Sequence, residues 1–209
     1  MLDKNALRLY LCTDRIYASV RPIEEIVEEA ILGGVTMVQI REKNVSSREF
    51  YDVACAIRNV TKAYHIPLVI NDRLDIALLT GADGLHIGQS DVPLSEVRKI
   101  VGNKCFIGVS AGNVEEAIIA QENGADYLGA GPVFPTNSKT DAQSAIGLAG
   151  LERICNAVHI PVIGIGGINA QNAGEVMKTG ASGVAVIQAI LAQKDIKSAS
   201  LALSSQVRE

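Results

Sequence analysis

The chain has 209 residues, 48% of them hydrophobic and 20% charged, with a net charge of −4 at pH 7. A chain of this length buries roughly 70% of the surface its unfolded form exposes, which excludes disordered and fibrous classes and makes a real core available. The acidic balance argues against nucleic acid as the main partner, because phosphate-backbone affinity needs an excess of lysine and arginine on one face, although it leaves room for a local basic pocket.

Strand-like runs and helical patterns alternate from the first residues onward. The stretch "LRLYLCTD" reads as a strand; the acids around it are unlike a signal peptide, and no apolar run reaches the roughly 18 residues of a membrane span. The expected location is therefore the cytoplasm, with no membrane partner. A helix is expected over 22–32, with Ile23, Ile26, Val27, Ala30 and Ile31 on one face and the carboxylates of "EEIVEEA" on a solvated one. The strand "GGVTMVQIREK" follows from Gly33, then a helix over 46–63, the strand "IPLVIND" and a helix over 73–79. Next come "GADGLHIGQSD" from Gly81, a helix over 94–101, the strand "FIGVSAG" and a helix over 114–122. The strand "GADYLGAGPV" from Gly124 runs into the longest break in the pattern, "GPVFPTNSKTDA". A helix over 148–157, the strand "IPVIGIGG", a helix over 170–178, the strand "GASGVAVIQA" from Gly180 and an amphipathic tail from about residue 189 complete the chain.

Four of these strands open on a repeated phrase whose glycines, Gly33, Gly81, Gly124 and Gly180, are expected to be left-handed helix stops. Eight near-continuous apolar strands alternating with helices imply parallel strands covered by helices. The fold expected is a (β/α)₈ barrel in a single domain, 1–209, without a linker. An open doubly wound sheet is the alternative, but equivalent repeated units suit a closed ring better than a sheet with edges. Cys12, Cys55, Cys105 and Cys155 lack metal-binding spacing and read as small buried thiols.

In such a barrel the site is built where strands end, so the residues just after each apolar run carry the chemistry. In "VQIREK", Gln39, Arg41 and Lys43 are two apart and share one face of an extended chain, with Val38 and Ile40 turned to the helices. An amide followed by two cations forms a funnel for an anion; the alternative is a strand end with ordinary surface charges. Asn71 and Asp72 end the third strand and Asp91 follows the fourth. The two carboxylates suit a hard cation such as Mg²⁺, commonly held by one or two carboxylates plus substrate phosphate oxygens. On spacing alone, plain ion pairing with Arg41 and Lys43 stands level with that reading.

The seventh strand ends "VIGIGGIN", where Gly164 and Gly166 are expected to leave room and Gly167 and Ile168 to present backbone N–H groups before a helix near Asn169 or Ala170. With Ile187 and Gln188 of the eighth strand, this is the usual phosphate position of a barrel. His65 and His159 precede strand starts and read as structural, and His86 reads as a satisfied core histidine. Two anion zones without a strong base suggest two phosphorylated substrates, or one bisphosphate, and a pyrophosphate leaving group.

Taken in order, "VQIREK", "VINDRLDIAL", "GADGLHIGQSD", "IGVS", "GADYLGAGPVFPTNSKTDA", "PVIGIGGI" and "GASGVAVIQAI" resemble the thiamine-phosphate synthase family across nearly the whole chain. The resemblance implies a Mg²⁺-dependent barrel enzyme that joins a pyrimidine diphosphate to a thiazole phosphate and releases diphosphate. The mechanism it implies is dissociative: a pyrimidine methylene cation is captured by the thiazole nitrogen. It implies that Gln39, Ile40, Arg41, Glu42, Lys43 and Asn71 contact the pyrimidine diphosphate, that Asp72 and Asp91 hold Mg²⁺, and that Ser110 lies beside the pyrimidine and diphosphate. Lys139 would complete the diphosphate clamp, with Ser110, Lys139, Arg41 and Lys43 carrying catalysis. Thr136, Asn137, Ser138, Gly167, Ile187 and Gln188 would hold the thiazole phosphate. A homo-oligomer is left open.

Two positions depart from the resemblance. Ala111-Gly112 stands where a Thr-His or Val-His pair is often found, and Gln188 where a serine is common. A thiazole tautomerase of the same fold is the alternative enzyme, disfavoured because Arg41, Lys43, Asp72, Asp91 and Lys139 are all present. A non-catalytic binder of thiazole or thiamine phosphate is the alternative outside enzymes.

Overall fold

Short apolar strands alternate with helices until the last strand meets the first. The computed structural model describes residues 2–17, 21–136 and 144–207. The strands are β1 (Leu9–Cys12), β2 (Met37–Ile40), β3 (Leu68–Asn71), β4 (Gly84–Ile87), β5 (Phe106–Ala111), β6 (Tyr127–Ala130), β7 (Val162–Ile165) and β8 (Gly183–Val186). All pair in parallel with their sequence neighbours, and β8 pairs with β1, giving a closed barrel rather than an open sheet. The helices are α1 (Ile23–Leu32), α2 (Ser47–Ala63), α3 (Leu74–Thr80), α4 (Leu94–Val101), α5 (Val114–Glu122), α6 (Gly147–Ala157), α7 (Ala173–Met177), α8 (Gln188–Leu191) and α9 (Ile196–Gln206). The expected tail helix is thus two helices, the second capped by the Asp195 carboxylate, which accepts from the Ser198 N–H at 2.9 Å.

The helices form where the apolar spacing asks for them, and their ends have local causes. Ser46 accepts from the Glu49 N–H while Glu49 returns a bond to the Ser46 N–H, a reciprocal cap that starts α2. Gly81 closes α3 in the left-handed region at φ 61°. At the end of α1 the expected stop is displaced by one residue: Gly33 has φ −88°, and Gly34 takes the positive value, 102°.

The repeated Gly-Ala-Asp phrase has a structural meaning at the end of the barrel away from the strand C-termini. Asp83 Oδ2 accepts from the Leu68 N–H at 2.8 Å and pairs with Arg58 at 2.6 Å. One repeat later, Asp126 Oδ2 accepts from the Ile107 N–H at 2.7 Å and pairs with Arg98 at 2.5 Å. Each aspartate therefore ties the start of a strand to the preceding helix.

The core is continuous between sheet and helices, with Leu9, Leu11, Val38, Ile40, Leu68, Ile70 and Leu85 fully buried. Each such aliphatic side chain stabilises the fold by about 1.5–3 kcal/mol relative to exposure. Cys12 and Cys105 are buried as expected, whereas Cys55 and Cys155 are only half-buried; all four are free thiols. Burial raises the Cys105 thiol to about 11, which keeps it protonated and inert. Among the described residues, no helix is long and apolar enough to cross a membrane.

Candidate active site

The C-terminal ends of the strands open into a cavity of about 680 Å³. One wall carries Arg41 and Lys43 after β2, Asn71 and Asp72 at the end of β3, and Asp91 after β4. The opposite wall carries Gly166 and Gly167 after β7, and Ile187 and Gln188 where β8 passes into α8. Ser110 of β5 and Thr136 after β6 lie between the two walls. The cationic and backbone-lined zones expected from sequence thus share one cavity.

The charges on the first wall are already engaged. Lys43 Nζ lies 2.5 Å from Asp72 Oδ2, and Arg41 Nη1 lies 3.3 Å from Asp14 Oδ2. Asp91 Oδ2 accepts from the Gly88 N–H at 2.7 Å. Asp72 has φ 62°, a left-handed conformation that an aspartate tolerates at some cost and that recurs where a site dictates the backbone. Burial raises the Asp91 carboxyl above its ordinary range, the neighbouring Asp72 carboxylate pushes the same way, and the Gly88 N–H and Lys43 oppose both. Two mutually repelling carboxylates at the edge of an open cavity are a donor set that a hard cation would relieve. Among the described residues no group of three or more His, Cys, Asp or Glu could hold a metal alone, so such a cation would need further oxygens from a ligand or water.

The geometry places several of the sequence-expected residues away from the main cavity, and two expectations of local structure differ from it. Gln39 points inward and sits below the main cavity: it is 4% exposed, donates to the Tyr10 hydroxyl at 2.8 Å, and lines an adjoining chamber of about 20 Å³ that shares Arg41, Ser110 and Ile187 with the main cavity. Ile40, the last residue of β2, packs in the core on the opposite face, and Glu42 turns away to accept from Arg15 at 3.1 Å; neither borders the cavity. Gly164 does not open the mouth, because a Cβ there would lie 2.7 Å from Val176 Cγ1, on the helix side. The helix expected near Asn169 or Ala170 begins at Ala173. Asn137, Ser138 and Lys139 lie outside the described residues.

The β1–α1 segment was missed, although "LCTD" ends in polar residues as the other strands do. Thr13 accepts from the Arg41 N–H at 3.2 Å, Asp14 holds the Arg41 guanidinium, and Tyr17 accepts from the Gln188 side-chain amide.

A family model described as thiamine monophosphate synthase matches residues 9–190. The chain is 54% identical to the thiamine-phosphate synthase of Ruminiclostridium cellulolyticum, covering 95% of this chain and 94% of that protein. It is 52% identical to that of Clostridium novyi, over 95% and 97%. The chain belongs to the thiamine monophosphate synthase family. A solved structure of the same family, thiamine phosphate pyrophosphorylase from Pyrococcus furiosus, superposes with a TM-score of 0.90 at 43% identity, covering 98% of this chain and 96% of that one.

Both departures from the synthase pattern have a structural setting. Ala111 ends β5 against the cavity, and the Gly112 N–H donates to Glu116 Oε2 at 2.7 Å. Gln188 opens α8, whose first N–H groups have no intrahelical acceptor, so an anion can be met there by backbone whatever the side chain.

Proposed function

We propose that the chain is a thiamine-phosphate synthase, a transferase that condenses a pyrimidine bearing a diphosphate leaving group with a thiazole ethyl phosphate, or its carboxylated form. The products are thiamine phosphate and diphosphate, with carbon dioxide released as well when the thiazole is carboxylated. The observation that supports this best is one cavity with a cationic, carboxylate-bearing wall facing a wall of backbone around Gly167, Ile187 and Gln188.

In this reading Arg41, Lys43 and Asn71 hold the diphosphate, and Gly167, Ile187 and Gln188 receive the thiazole phosphate together with Thr136, Asn137 and Ser138. Asp72 and Asp91 would hold Mg²⁺, which when bound supplies positive charge beside the diphosphate oxygens. The bond from the pyrimidine methylene to the diphosphate oxygen breaks with its electron pair on oxygen, where Arg41, Lys43 and Lys139 stabilise the added charge. The thiazole nitrogen then gives its lone pair to the methylene carbon. No proton is removed to make that nucleophile, in keeping with a cavity lined by no histidine among the described residues. Within this reading the protein works in the cytoplasm on small molecules.

The deciding assay supplies both phosphorylated substrates with Mg²⁺, with and without EDTA, and follows thiamine phosphate. Folded protein that gives no metal-dependent product would sink the reading.

A further inference from the structure

Beneath the cavity, four polar side chains and a serine form one unbroken hydrogen-bond chain through the barrel interior. Gln39 Nε2 donates to the Tyr10 hydroxyl at 2.8 Å, Tyr10 meets the Tyr127 hydroxyl at 2.9 Å, and Tyr127 meets His86 Nδ1 at 3.1 Å. His86 Nε2 then lies 3.0 Å from Ser110 Oγ. Tyr10, Tyr127 and His86 are buried, and Ser110 alone of the five reaches both the small chamber and the main cavity. The Tyr127 ring occupies space that only a glycine leaves open: a Cβ at Gly108 would lie 2.1 Å from its Cζ.

The direction of the protons along this chain follows from its first link. An amide nitrogen can only donate, so Tyr10 accepts from Gln39 and has its own single proton to give to Tyr127. Tyr127 in turn gives its proton to His86 Nδ1. Burial raises both phenols well above their ordinary value, so both keep those protons. His86 is thereby left with its proton on Nε2, facing Ser110.

We infer that Tyr10, Tyr127 and His86 are positioning residues that fix His86 as the Nε2–H tautomer, so that Ser110 Oγ accepts from the ring and turns its own proton into the cavity. Ser110 is then a committed hydrogen-bond donor toward an acceptor on the bound pyrimidine diphosphate. This rests on the synthase reading for the identity of the ligand, but the tautomer itself does not.

Two measurements test it. With ¹⁵N-labelled histidine, the unsubstituted protein has three imidazoles to resolve, and His86 is expected to show a protonated Nε2 and a bare Nδ1. The Nδ1–H form, or an imidazolium, in the folded protein overturns the inference whether or not the protein turns over substrate. Tyr127→Phe removes the donor to Nδ1 and is expected to shift His86 toward the Nδ1–H form. It should also lower kcat by roughly 10–100-fold with a smaller change in KM. Ser110→Ala is expected to fall comparably, and the double variant no further than Ser110→Ala alone, because the tyrosine acts through the serine. Independent losses that multiply in the double variant would show a merely structural tyrosine and overturn the inference. Absence of turnover in the unsubstituted protein, with the tautomer as expected, would instead count against the synthase reading.

Discussion

Lys43 Nζ sits 2.5 Å from Asp72 Oδ2, so the nearer of the two carboxylates assigned to metal is already partnered, and Asp91 is left facing it at the edge of the cavity. An acid whose proton affinity is raised on folding binds protons more readily in the folded than in the unfolded state. Its penalty is absent below the unfolded value and grows as the pH climbs through the folded one. Asp91→Asn is therefore expected to melt about 1–3 °C higher than the unsubstituted protein at pH 7, the gap closing as the pH falls toward 4. In the synthase reading Mg²⁺ with pyrophosphate is expected to raise the melting temperature of the unsubstituted protein, and the same variant is expected to lose that rise. Melting curves across that pH range check both; a variant that melts lower at pH 7, or whose advantage widens in acid, contradicts the assignment.

Asp14 is 6% exposed and holds the Arg41 guanidinium at 3.3 Å, with its other oxygen accepting from the Ile16 N–H at 3.0 Å. Asp14→Ala removes both bonds and leaves Arg41 beside the cavity with water as its partner. The expected loss is about 1–2 kcal/mol, or about 2–8 °C in melting temperature, below that of a fully enclosed ion pair because the cavity is open. Freed from its carboxylate, Arg41 should bind anions more strongly. Thermal-shift titration with pyrophosphate is expected to give a larger rise in Asp14→Ala than in the unsubstituted protein; an equal or smaller rise would mean that Arg41 does not face the anion.

The barrel and the two-walled cavity were legible because both follow from strand periodicity and from what stands after each strand. What escaped was a matter of depth. Gln39, Arg41 and Lys43 alternate in sequence, but β2 ends at Ile40, so Gln39 stays inside the barrel while Arg41 and Lys43 leave the strand and reach the mouth. Alternation tells which face a residue takes and says nothing about its height along the barrel axis. Gly164 was misread for a related reason: as a β7 residue between Ile163 and Ile165, which line the small chamber, it must face the helices. The Tyr10–Tyr127 contact joins residues 117 positions apart, and no local pattern announces it.

The repeated Gly-Ala-Asp phrase carries its own prediction. Asp126 satisfies a strand N–H at Ile107 and anchors Arg98, so Asp126→Ala leaves the Ile107 N–H without that acceptor and the guanidinium with only the Gly102, Cys105 and Gly124 carbonyls in place of its carboxylate, at the closed end of the barrel. A loss of about 2 kcal/mol, or about 4–8 °C, is expected, with kcat unchanged, since neither residue borders the cavity. Glu115→Ala, on the exposed side of α5, is the matched charge deletion and should stay within about 0.5 kcal/mol. Equal melting of the two variants would show that the aspartate of the repeat is ornamental.

Lys139 falls outside the described residues, yet its tether is well defined on both sides. The Ile146 N–H donates to the Pro132 carbonyl at 2.8 Å and the Gly147 N–H to the Val133 carbonyl at 3.0 Å, which pins the returning chain beside the departing one. Thr136 borders the cavity, and Lys139 is three residues further on in the sequence. In the synthase reading its ammonium adds to the positive charge that Arg41 and Lys43 offer the departing diphosphate. Lys139→Ala is therefore expected to lower kcat by about 100-fold or more while shifting the melting temperature by less than about 1 °C. Lys139→Arg, which keeps the charge but changes its shape, should recover part of the loss. The comparison of kcat with melting temperature across the two variants separates the alternatives: a lysine whose removal unfolds the barrel is structural, and one whose removal leaves turnover intact lies away from the leaving group.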